Sequence, residues 1–146
     1  MSDANPMRDF NQRVMDEFRA NAGVVGGPFS GAPMLILHTR GAKSGEMREL
    51  PLVYQPQPGR EADAWAIFAS KAGSPTHPDW YRNLVTHPGD VRIEVGSEAL
   101  AVDVRVLEGA ERDALWEAQK RASTAFAGYE AKTTRTIPVV LLTRRG

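Results

Sequence analysis

Apolar residues along the chain change their spacing from helical to alternating and back, and this change divides it into segments. Met7, Phe10, Val14 and Phe18 recur at steps of three and four, which predicts a helix over residues 6–22 with Pro6 in its first turn. Its opposite face carries Arg8, Asp9, Arg13, Asp16, Glu17 and Arg19. A face of this kind packs on the rest of the domain; lying on a membrane surface is the competing expectation. Gly23, Gly26, Gly27, Pro28, Gly31 and Pro33 then read as a connector, so residues 1–30 form an N-terminal helix and linker ahead of a main unit over 31–146.

From Met34 the pattern is that of strands. The run 34–38 and the run 50–54 flank the polar turn 40–46, and Ala64–Ala69 follows after Pro56, Pro58 and Gly59. Pro78 opens a helix over 78–86, with Trp80, Leu84 and Val85 on one side. Residues 91–95 and 100–107 alternate across Gly96-Ser97 as a hairpin, residues 109–121 form an amphipathic helix, and 137–142 close the chain as a strand. Strands follow strands and helices are few. The expected class is α+β, mostly β, and a six-stranded antiparallel barrel fits the order best. A closed barrel would also remove the exposed edges of these strands.

Composition narrows the function. The 18 basic and 18 acidic side chains cancel, which argues against a nucleic-acid binder and makes any anion site local. With no cysteine there is no disulfide, thiolate nucleophile or cysteine-held metal. The first residues show no basic stretch followed by an apolar run, and apolar runs are too short to span a bilayer, so a cytoplasmic protein is expected, with peripheral membrane contact through the N-terminal helix as the alternative. His38, His77 and His87 show no metal-ligand spacing, so no metal is expected.

Two loops could hold an anion. Arg40, Lys43 and Arg48 sit among Gly41, Ser44 and Gly45, without the spacing of a Walker loop. Ala69-Ser70-Lys71-Ala72-Gly73 again sets a hydroxyl, a cation and a glycine just past a strand, leading towards a helix N-terminus. Each alone is commonly an ordinary connection; two beside sequential strands of one small domain point to a ligand with an anionic tail. Trp80-Tyr81 could wall a planar ligand or pack beneath the sheet, and Phe126 with Tyr129 could cap a pocket or join the core.

Taken in order, several stretches resemble the deazaflavin (coenzyme F420)-dependent nitroreductase family over about residues 31–142. They are 31–37, Arg40-Gly41-Ala42-Lys43-Ser44-Gly45-Glu46-Met47-Arg48, Pro51-Leu52-Val53-Tyr54, 68–73, His77-Pro78-Asp79-Trp80-Tyr81-Arg82-Asn83-Leu84, 129–133 and 135–139. The resemblance implies an FMN-binding-type split β-barrel that binds F420, a deazaflavin with a phosphate and a polyglutamate tail. It also implies an oxidoreductase that passes hydride from reduced F420 to a small-molecule acceptor: a quinone, nitroaromatic or activated enone. An FMN enzyme of the same barrel class and a non-catalytic F420 carrier are the alternatives.

By the same resemblance, Lys43, Ser44 and Arg48 should meet the phosphate and tail. Pro51, Val53, Phe68, Ala69, Ser70, Lys71 and Ala72 should line the deazaflavin and its side chain, with Trp80 and Asn83 closing that side. Ser70 is expected to hydrogen-bond the acceptor oxygen or the ring, and Tyr129 to donate a proton or form a pocket wall. The chain departs from the nitro-drug-reducing pattern, which has a tyrosine where Val53 stands; of Ser123, Phe126 and Tyr129 only the last keeps a phenol. A cofactor site shared with that pattern, with a different acceptor, is the expectation.

Overall fold

The structure is a computed structural model that describes residues 6–27 and 31–145, with side chains from Asp9 onward. The expected roles of Pro6, Met7 and Arg8 side chains and of Pro28 fall outside the described residues. Helix α1 runs Pro6–Ala20, followed by strands β1 (Met34–Arg40), β2 (Met47–Val53), β3 (Gln55–Pro56) and β4 (Ala64–Phe68). Helix α2 (Asp79–Thr86), strands β5 (Arg92–Val95) and β6 (Glu98–Val106), helices α3 (Gly109–Ala122) and α4 (Thr124–Ala131) and strand β7 (Val139–Arg144) complete the chain.

All strand pairs are antiparallel, in the order β2-β1-β5-β6-β7-β4-β3. The long β6 belongs to both halves: Glu98–Ala101 pair with β5, and Val102–Val106 pair with β7. The two outer strands, β2 and β3, are separated in the chain by Tyr54 alone, so the chain itself joins the ends of the rolled sheet. This is a split barrel of seven strands, one more than six. The extra strand is the two-residue β3, where Pro56 sits on an edge that needs no amide, as proline in a sheet requires. Gln55 Nε2 donates to the Leu115 carbonyl on α3, so a helix covers that edge.

Both faces of β1, β4 and β7 are buried, which is why these strands read as unbroken apolar runs. Leu35, Leu37, Trp65, Ile67, Val140 and Leu142 point into the barrel and meet Trp80 and Leu84 of α2. Phe68, Val139 and Leu141 point outward against Trp116 of α3 and Phe126 and Tyr129 of α4. Met34 and Ile36 lie beneath Val14, Met15 and Phe18 of α1. The apolar face of α1 is thus used on the sheet, and Arg19 fixes the helix by bonds to Glu49 of β2 (2.7 Å) and Glu94 of β5 (2.6 Å). No helix among the described residues is long and apolar enough to cross a membrane.

Candidate functional site

A cavity of about 970 Å³ opens between the β1–β2 hairpin, α1, α2 and Lys71. The hairpin supplies Gly41 to Ser44 and Met47 to Leu50, α2 with Pro78 supplies Asp79, Trp80, Arg82 and Asn83, and α1 supplies Asn11, Gln12 and Met15. Of the residues expected from sequence, Lys43, Ser44, Arg48, Lys71, Trp80 and Asn83 line this cavity together. Pro51, Val53, Phe68, Ala69, Ser70, Ala72, Tyr129 and Arg40 lie off its wall. Val53 packs under α1, Phe68 in the cluster below α3 and α4, and Ala69 inside the barrel.

The hairpin is held from within the protein, leaving its cationic side chains outside. Asn83, 8% exposed, receives the Ala42 amide on Oδ1 (2.9 Å) and donates from Nδ2 to Thr39 Oγ1 (3.2 Å), itself fully buried. Both ends of its amide are therefore committed to the wall. Arg40 likewise braces the turn, donating to the Gly45 carbonyl at 2.7 Å and to Asp90 at 3.0 Å. Lys43 has no ion pair with any described residue, and Arg48 has only an exposed contact to Glu46 at 3.3 Å. The two acids on the wall are already matched, Glu49 to Arg19 and Asp79 to Arg82.

The second loop works differently. Ser70 is right-handed helical (φ −79°, ψ −37°), whereas Lys71 and Ala72 have φ 45° and 53°, the left-handed region that non-glycine residues avoid. Such a right-to-left succession turns backbone amides to one side, the nest geometry that receives anions. Two such residues cost about 1–3 kcal/mol each, so the surroundings must impose them. Arg135 does so. It donates to the carbonyls of Ser74 (2.9 Å), Ala69 (3.1 Å) and Ser70 (2.8 Å) and to His77 Nδ1 (2.9 Å). Burial, together with the charges of Arg135 and Arg82, lowers the His77 pKa from its usual 6.5 and favours the neutral ring that accepts this bond.

Asn11, Gln12 and Met15 carry no signal of the site in the sequence, because α1 meets the hairpin only in the folded chain. The fork of Arg135 is equally silent in the sequence, and the signal for Thr39 is a polar residue at the end of an apolar run. The fold also brings His38, Glu49 and Glu94 together from β1, β2 and β5, with ligand atoms within 4.8 Å, although nothing in their spacing announced it. Arg19 already supplies the cation there: its hydrogen bond, with that of His38, holds the Glu94 carboxyl down to about 2.

The model of the F420H(2)-dependent quinone reductase family matches residues 10–144, nearly the whole chain. The chain belongs to this family. It is an F420H2-dependent reductase of quinone-like acceptors, and its cofactor is F420. The reductase is 39% identical to the F420H(2)-dependent quinone reductase Rv1261c of Mycobacterium tuberculosis over 132 residues, 88% of this chain and 85% of that protein. An F420-H2 dependent reductase structure (FDR-A) superposes with a TM-score of 0.65 at 38% identity, over 75% of this chain and 93% of that one. A domain-swapped dimer, 35% identical, superposes with a TM-score of 0.67 over 93% of this chain and 96% of that one.

Proposed function

We propose that the cavity beneath α1 holds F420 by its anionic part and places a quinone-like acceptor beside it. What carries this is a convergence: Lys43 and Arg48 from the hairpin and Lys71 from the second loop all meet one cavity whose two acids are already paired. Donors of this kind fit a phosphate and carboxylates. Trp80, 6% exposed, offers a flat apolar wall for a planar ring.

Bound there, reduced F420 supplies the hydride, and the protein orients donor and acceptor. The quinone gains that hydride and a proton from solvent to become a hydroquinone. Ser70, directly before Lys71 and 9% exposed, is assigned the hydrogen bond to the ring or acceptor oxygen. Tyr129, whose backbone lies against Gly73 and whose ring packs on Phe126 at 5.2 Å, is assigned to the wall behind the turn.

The test is a fluorescence titration with F420, then oxidation of the reduced cofactor by a panel of quinones, nitroaromatics and activated enones. Saturable F420 binding with turnover fastest on quinones is expected. Absence of F420 binding would sink the assignment of the cavity. Ser70→Ala should lower kcat with little change in F420 affinity.

A further inference from the structure

We infer that Arg135, which does not line the cavity, is the positioning residue that sets the Ser70–Ala72 backbone as a receptor for the phosphate of the cofactor; this rests on the F420 reading above. The peptide bond is planar and trans here, with no cis bond among the described residues, so a carbonyl and the following N–H point in opposite directions. Arg135 draws the carbonyls of Ala69 and Ser70 onto one guanidinium, at 3.1 and 2.8 Å. The N–H groups of Ser70 and Lys71 are thereby turned to the face away from Arg135. The third carbonyl, Ser74 at 2.9 Å, pins the far end of the turn, and the left-handed Lys71 and Ala72 lie between the pinned ends.

Only a planar fork with several fixed donors can hold three carbonyls of one short turn; an ammonium group carries the charge without that shape. Of Ser70, Lys71 and Ala72, Lys71 stands on the cavity wall, which sets this backbone beside the cavity that Lys43 and Arg48 also line. The guanidinium behind the turn adds positive charge to the same side.

The experiment measures the affinity of wild type, Arg135→Lys and Ala72→Val for two ligands: F420, and the deazaflavin with its sugar-alcohol chain but without phosphate and tail. Ala72→Val reaches the same backbone from another direction, because a β-branched residue resists φ 53°. Each variant should lose at least about tenfold in F420 affinity, as expected for lost hydrogen bonds to a charged group. Affinity for the phosphate-free ligand should stay within about twofold, well under one such bond. General damage to the fold would weaken both ligands alike, so equal losses overturn the inference. It is also overturned, alone, if wild type binds F420 and Arg135→Lys binds it as well. A wild type that binds neither ligand overturns the cofactor assignment and this inference with it.

Discussion

The 41–46 turn and the 70–74 turn are alike in composition, each with a lysine, a serine and a glycine, yet they present charge in different ways. In the first, a regular antiparallel pair from Met34↔Val53 to Arg40↔Met47 sets the backbone, and only Gly45 has a positive φ, 73°. Its contribution is the reach of Lys43 and Arg48. In the second, three successive residues are left-handed and the conformation persists because Arg135 and α4 enforce it. Its contribution is the direction of its amides. Two loops with the same letters can therefore differ in whether they present side chains or backbone amides.

The strongest test of that contrast replaces the glycines. A Cβ at Gly73 would lie 2.8 Å from the Tyr129 carbonyl oxygen at φ 82°, whereas one at Gly45 would meet nothing within 4 Å. Gly73→Ala should cost about 3 kcal/mol through strain and overpacking together. Gly45→Ala should cost about 1 kcal/mol, from its left-handed backbone alone. Urea unfolding measures both, and equal losses would erase the distinction between the turns.

Next in size is the double variant Lys43→Ala with Arg48→Ala. F420 affinity should fall at least about tenfold, since bonds to charged groups contribute roughly 1.5–3 kcal/mol each. The melting temperature should hold, because Lys43 has no ion pair with a described residue and the contact of Arg48 is exposed. An unchanged affinity would remove the hairpin from the cofactor site.

The smallest effect is in pH. Since the folded state lowers the His77 pKa below 6.5, the unfolded chain binds this proton more readily. Stability from the neutral ring is present above about 6.5 and is lost as pH falls from there towards the lower folded value. A modest drop in melting temperature between pH 7.5 and 5.5 is expected, and His77→Gln should flatten it. A slope unchanged in that variant would assign the titration elsewhere.

Much of this was legible in the chain. Period-three-and-four spacing gave α1, and Met34–Leu37 and Ala64–Phe68 announced buried strands by their unbroken apolar runs. The basic letters of 40–48 and 69–73 marked both loops. The residues that brace them were less visible. Asn83 was expected to touch the cofactor, and in the fold both ends of its amide face protein partners. Arg40 was grouped with the ligand cations, and its guanidinium holds the Gly45 carbonyl.

By itself the sequence determined which segments become strands and helices, that any anion site is local, and which cations are near one another along the chain. These depend on periodicity, composition and short separations. Only the tertiary structure decided that α1 would wall the cavity, that β2 and β3 would meet through Tyr54, and that Arg135 would reach back 65 residues to the Ser70 carbonyl. Such contacts depend on how the sheet rolls and which helix covers which face, and a guanidinium shows no sign in the sequence of which carbonyls it will hold.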